Sequence, residues 1–131
     1  MATGTMLLDT DVLIDFLRGR PEARDFLLTL PRETAVSVVT VAELHVGVRE
    51  GAERQALDDL LATFRVLPLD ADAARRGGLL RRDYGKSHGV GLIDALIAAI
   101  AQTHNLPLAT LNRRHYPMLD AAQLVQPYVR H

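Results

Sequence analysis

Strand-like and helix-like segments alternate along the chain, and that alternation predicts an α/β fold. The expected form is a three-layer α/β/α domain with a parallel, roughly five-stranded sheet. Two features support it. The strand candidates are short apolar runs such as Ala35 to Val39, rich in β-branched residues and suited to burial on both faces. The segments between them carry apolar residues at helical spacing.

Each element has its own signal. Thr5 to Leu8 reads as the first strand. Asp11 to Arg18 reads as a helix with Val12, Leu13, Phe16 and Leu17 on one face. Asp9 could cap it, but Asp11 is the better placed cap. Pro21 opens a second helix, carrying Ala23, Phe26, Leu27 and Leu30 up to Pro31. Ala35 to Val39 is the second strand. A helix over Val41 to Arg49 follows, entered through Thr40-Val41-Ala42-Glu43, a capping-box pattern. Ala52 to Phe64 reads as a further helix, and Arg65 to Leu67 as a strand ended by Pro68. Asp70 or Asp72 caps a helix running to about Asp83 and weakened by Gly77-Gly78. Tyr84 to Gly91 reads as a loop. The helix containing Asp94 ends near His104-Asn105, Leu106 to Leu111 is a strand, and Leu124-Val125 is the last.

Composition narrows the class. A chain of 131 residues with 48% hydrophobic content is expected to form one domain over 1–131 without a staple. The absence of Cys excludes a disulfide framework and thiolate zinc. No signal-peptide pattern opens the sequence, and the longest apolar run, Ala95 to Ala101, is far short of a membrane span. A soluble, cytoplasmic protein without membrane contact is the expectation. The net charge of −1 argues against a bulk electrostatic nucleic-acid binder. Local basic pairs remain available: Arg75-Arg76, Arg81-Arg82 and Arg113-Arg114. Lys86 is the one lysine.

The chemistry lies in acids placed beside apolar segments. Asp94 sits in Gly91-Leu92-Ile93-Asp94-Ala95-Leu96-Ile97-Ala98-Ala99, with no Lys or Arg in the ten residues that follow. A carboxylate there loses hydration at high cost unless it is paired or holds a metal. Asp9 follows Met6-Leu7-Leu8, and Glu43 lies within Val41-Ala42-Glu43-Leu44. Three such acids suggest one carboxylate cluster holding a hard cation. Each has a structural alternative: a distant arginine for Asp94, a cap for Asp9, the capping box for Glu43. Asp15, Asp25, Asp58, Asp59, Asp70, Asp72 and Asp83 are expected on solvated faces or helix ends. His45 and His104 are expected at the surface. His88 falls in the expected loop.

The motifs together resemble a family. Leu7-Leu8-Asp9-Thr10-Asp11-Val12-Leu13, Ser37-Val38-Val39-Thr40-Val41-Ala42-Glu43, Gly91-Leu92-Ile93-Asp94-Ala95 and Thr110-Leu111-Asn112-Arg113-Arg114-His115 resemble, in order, the four motifs of PIN-domain ribonucleases. In length the chain resembles the VapC-type toxins of toxin–antitoxin pairs. The resemblance implies a PIN-like parallel sheet between helices, a homodimer, and RNA hydrolysis with Mg²⁺ or Mn²⁺. It assigns metal-binding acids to Asp9, Glu43 and Asp94. Asn112 takes a place in the catalytic set, and Thr10, Thr110 and His115 are supporting residues. It also implies a VapB-like antitoxin, encoded alongside, whose segment crosses the active-site groove. Val12, Leu13, Phe16, Phe26 and Leu27 are the apolar residues of the first two helices, to be divided between core and partner.

The fourth motif departs from the family. Where many relatives carry Thr-x-Asp or Thr-x-Asn-x-x-Asp, this chain has Asn112 and His115. That implies three formal charges rather than four, and weak metal binding without RNA. His115 is a candidate phosphate contact or proton carrier, or else packs beside Tyr116 and Pro117. Two other functions stay open. A haloacid-dehalogenase-like phosphatase would use Asp9 and Asp11 with a downstream lysine, and only Lys86 is on offer. A catalytically weak PIN domain would serve as an RNA- or protein-binding module.

Overall fold

A computed structural model of the chain describes residues 5–130. The parallel sheet predicted by the alternation is present, built from β1 (Leu7–Leu8), β2 (Ala35–Ser37), β3 (Arg65–Leu67), β4 (Leu108–Ala109) and β5 (Leu124–Val125). Its order is β3-β2-β1-β4-β5, with all neighbours parallel. β1 is central: Leu7 lies opposite Ala35 and Leu108, and Leu8 opposite Val36 and Ala109.

Leu7 and Leu8 are both fully buried because successive side chains of a strand point to opposite faces. Leu7 joins a core with Ile97, Ile100, Leu108 and Tyr116. Leu8 joins a second core with Leu13, Val36, Leu44, Leu57 and Leu61. The first core is roofed by α5 (Ala71–His88) and α6 (Leu92–Thr103). The second is roofed by α1 (Thr10–Leu17), α2 (Pro21–Leu28), α3 (Val38–Val46) and α4 (Ala52–Leu61). No helix among the described residues is long and apolar enough to cross a membrane.

Several boundaries differ from the sequence expectation. β2 ends at Ser37, whose hydroxyl accepts from the Thr40 amide at 3.0 Å and caps α3. Val38 and Val39 are therefore helical, and the Thr40–Glu43 capping box does not form. Asp9, not Asp11, is the N-cap of α1. α5 continues through Tyr84–His88 and ends at Gly89, whose φ of +68° suits a residue without Cβ. Only the residues just before α6 remain loop. α5 runs unbroken through Gly77 and Gly78. A Cβ at Gly77 would sit 3.2 Å from the Cα of Leu96, so glycine is what lets α5 and α6 approach.

Asp15 is the largest correction among the acids expected to be solvated, for it is 2% exposed. After β5 the chain turns back over α1 and delivers Tyr128 and Arg130 to it. Asp15 Oδ2 accepts from Tyr128 Oη at 2.9 Å and Arg130 Nε at 2.9 Å, and Oδ1 accepts from Arg130 Nη2 at 3.1 Å. Tyr128 also packs on Phe26 with ring centroids 5.9 Å apart. Burial pushes the Asp15 carboxyl up, but the bonds from Arg130 and Tyr128 and the charges of Arg130 and Arg20 outweigh it and hold it below the usual range.

Replacing Asp15 by alanine should strand two polar groups and cost about 2 kcal/mol, lowering the melting temperature by roughly 5–8 °C. Because the folded carboxyl titrates below its unfolded value, its contribution is present above about pH 4 and lost on further acidification. Thermal melts of the wild type and Asp15→Ala should differ at pH 6 and draw together as the pH falls below about 4. A constant gap would show that the charge plays no part.

Candidate active site

The order of the sheet fixes where side chains converge. β2 and β3 lie on one side of β1, and β4 and β5 on the other, so the chain changes direction between β1 and β4. Loops at the carboxyl ends of strands on either side of such a point diverge and leave a crevice. Asp9 follows β1 directly and Thr110 follows β4 directly. Asp94 enters from the first turn of α6, and Glu43 from the middle of α3. The turn Arg113–His115 leads to Tyr116, which is 1% exposed.

Asp9, 6% exposed, is the hub. Its Oδ2 accepts from Thr110 Oγ1 at 2.8 Å and Tyr116 Oη at 2.9 Å, while Oδ1 accepts from the Thr10 amide at 2.8 Å. The same hydroxyls reach the flanking acids at longer range: Tyr116 Oη to Asp94 Oδ1 at 3.3 Å, Thr110 Oγ1 to Asp11 Oδ2 at 3.4 Å. Each hydroxyl has a single proton, so Asp9 holds the better share of both. Thr10 links Asp9 to Glu43, donating its hydroxyl to Glu43 Oε1 at 2.7 Å. With that proton committed, Thr40 donates to Thr10 at 2.9 Å and Ser37 to Thr40 at 3.2 Å.

Asp9, Glu43 and Asp94 are thus drawn into one network, Thr10 bridging Asp9 to Glu43 and Tyr116 bridging Asp9 to Asp94. Thr10 and Thr110 hold its two sides. Asn112 is exposed, and its Nδ2 donates to Asp11 Oδ2 at 3.2 Å rather than to any of those three acids. His115 does not pack beside its neighbours. It is exposed, with Nδ1 3.2 Å from Asp94 Oδ2, while Tyr116 is the ring that fills the core. Of the arginine pairs, Arg113-Arg114 stands exposed beside the site, whereas Arg75 and Arg82 bond to Asp72 and Asp83. Lys86, which a phosphatase would need, is exposed in the last turn of α5, far along the chain from the acid pair.

Sequence reasoning missed Tyr116, and it placed Asp11 only as a cap or as the second acid of the phosphatase alternative. The signal for Tyr116 was a large aromatic in a polar turn: once buried, its hydroxyl must find a partner.

Burial pushes the Asp9 carboxyl up to about 7, and the neighbouring Asp11 charge adds to this, against bonds from Thr110, Tyr116 and Thr10 that lower it. Burial also raises Asp11, outweighing the Leu111 amide and the charge of Arg130. The Tyr116 hydroxyl is raised far above its ordinary range by burial and the nearby acids, so it remains a donor. Asp11 Oδ1 is buried without a partner. Among the described residues no basic side chain forms an ion pair with Asp9 or Asp11. Nor do three acid or histidine side chains among them already stand in metal-holding order. An oxygen-only donor set, short of positive charge and with one orphaned atom, fits a hard divalent cation.

Comparison with known proteins identifies the family. The sequence matches the PIN domain family over residues 6–118. It is 48% identical to Ribonuclease VapC10 of Mycobacterium tuberculosis over 94% of this chain and 92% of that protein. It is 40% identical to Ribonuclease VapC19 of the same organism, over 89% and 96%. Its fold superposes on a toxin–antitoxin complex from Klebsiella pneumoniae with a TM-score of 0.80 and 34% identity, covering 95% of this chain and 98% of that one.

A raised carboxyl has a thermodynamic signature. With the folded Asp9 at about 7 and its ordinary value at 3.8, folding keeps a proton that the unfolded chain releases. Stability is therefore full below about pH 4 and declines as pH rises towards 7. The chain in chelator should melt lower at pH 7.5 than at pH 5, and Asp9→Asn should flatten that slope. Added Mn²⁺ should recover the loss at pH 7.5. A slope identical in Asp9→Asn would assign the effect elsewhere.

Proposed function

Because this chain belongs to the PIN-domain family, we propose that it is a metal-dependent endoribonuclease, the toxin of a VapBC-like toxin–antitoxin pair. The observation that carries the reading is the buried Asp9 at the switch point, joined to Glu43 through the amide and hydroxyl of Thr10 and to Asp94 through the hydroxyl of Tyr116. It is backed by the 48% identity to a VapC ribonuclease.

Asp9, Glu43 and Asp94 are the residues that would hold Mg²⁺ or Mn²⁺. When bound, such an ion lowers the pKa of a water and offsets charge on a phosphodiester. Everything else falls to the chain. Thr110 and Tyr116 fix the Asp9 carboxylate, and Thr10 fixes Glu43. Asn112 steadies Asp11. His115, exposed beside Asp94, can meet a phosphate oxygen or carry a proton. Arg113 and Arg114 offer guanidinium forks to the RNA backbone. Hydrolysis by water leaves a 5′-phosphate and a 3′-hydroxyl and needs no 2′-hydroxyl, so preference for RNA rests on substrate shape, chiefly unpaired segments.

The partner site adjoins the catalytic one. A groove of about 800 Å³ runs from Glu43 between α1, α3 and α4, floored by Ile14, Leu17, Leu44, Val48, Ala56 and Leu57. Arg18, Arg49 and Glu53 rim it. An amphipathic helix fits such a groove, and that is the mode proposed for the VapB-like antitoxin. The residues differ from those the sequence offered: Val12 and Leu13 are fully buried core. The whole chain is taken to act as one PIN domain, as a homodimer in the cytoplasm.

Single-stranded RNA should be cut in Mg²⁺ or Mn²⁺ and spared in chelator. Asp9→Asn, Glu43→Gln and Asp94→Asn should each abolish cleavage, on the order of a hundredfold or more, with melting temperatures equal to or above wild type. Retained cleavage in all three would overturn the assignment. Expression of the chain alone should arrest growth, and co-expression of the adjacent small gene should restore it. Leu17→Asp should weaken antitoxin capture, measured by co-purification, while leaving RNA cleavage intact.

A further inference from the structure

We propose that Asp11 supplies a fourth negative charge to the metal site, taking the place left by Asn112 and His115 in the turn after β4. The inference rests on the reading of Asp9, Glu43 and Asp94 as metal ligands and deepens it.

Asp11 belongs to α1, yet its carboxylate is held by the turn after β4. Its Oδ2 accepts from the Leu111 amide at 3.0 Å, Asn112 Nδ2 at 3.2 Å and Thr110 Oγ1 at 3.4 Å. That turn carries no acid of its own from Leu111 to Leu119. His115 stands instead against Asp94, where a ring nitrogen cannot add negative charge. The Asp11 carboxylate therefore fills the acidic vacancy of a segment about a hundred residues away, 100 positions on at Leu111.

Its second oxygen points to a ligand. Asp11 Oδ1 is buried and has no hydrogen-bond partner. Arg130, whose charge acts on Asp11, spends its Nε and Nη2 on Asp15. Thr110 has one proton and gives its shorter contact to Asp9, 2.8 Å against 3.4 Å. Two carboxylates flanking one hydroxyl, with an oxygen left over, are deficient in positive charge. A divalent cation beside Asp9 relieves both, and each added carboxylate tightens its binding.

The competing role is mechanical: Asp11 could merely anchor the turn through the Leu111 amide. Asp11→Asn separates the two, since its amide oxygen still accepts from Leu111 while the charge is gone. Mn²⁺ is titrated into the full metal-free chain, without RNA, by calorimetry. Asp11→Asn should weaken binding by about tenfold or more and leave the melting temperature in chelator unchanged or higher. The double variant Asp11→Asn with Asn112→Asp exchanges amide and carboxylate across a 3.2 Å contact. It should return affinity to within about threefold of wild type.

Wild-type affinity in Asp11→Asn, with binding lost in Asp94→Asn, would overturn the proposal and leave the metal site standing. Weakening that the double variant does not reverse would make Asp11 an anchor and also overturn it. No Mn²⁺ binding by the wild type would sink the metal reading as a whole.

Discussion

Asp9 sits almost out of water at the open end of the central strand, and the surrounding structure answers the cost of putting a carboxylate there. The answer is made of hydroxyls. Thr110, Tyr116 and the Thr10 amide donate to it without cancelling its charge. Asp15, two turns along on the same helix, is equally buried and solved in the opposite way: Arg130 neutralises it and Tyr128 completes its shell. The contrast separates two kinds of buried acid. One is a finished ion pair that locks the fold. The other is hydrogen-bonded but electrically unfinished, which is the state a cation-dependent site requires.

The order of strands and helices was legible because short β-branched runs alternate with amphipathic ones. Boundaries failed where the periodic signal is silent. Val38 and Val39 extend an apolar run across the border between β2 and α3, and the border is set by the Ser37 cap. Lys86 to His88 are polar and exposed, so nothing in their spacing announces that α5 persists until Gly89. Asp15 looked like a surface acid because its partners lie 113 and 115 residues away.

Asp9, Glu43 and Asp94 stood out for a local reason, since each interrupts an apolar segment. Asp11 did not, because a cap at a helix start is a sufficient local explanation for an aspartate. Tyr116 escaped because the contact that gives it meaning, a hydroxyl between Asp9 and Asp94, joins three distant segments. What local chemistry explains fully, sequence reasoning stops questioning. The tertiary roles were hidden there.

The span of the network also orders events during synthesis. Asp9 emerges early, yet its Oδ2 partners are Thr110 and Tyr116, 101 and 107 positions later, and the Thr110 amide is itself held by the Val125 carbonyl. Such long-range contacts form last, after the chain has paid the entropy of bringing its two ends together. Most of the chain must leave the ribosome before the catalytic crevice exists at all. The residues lining the groove between α1, α3 and α4 all precede Leu61, well before that. The residues of that groove are thus synthesised before those that complete the crevice.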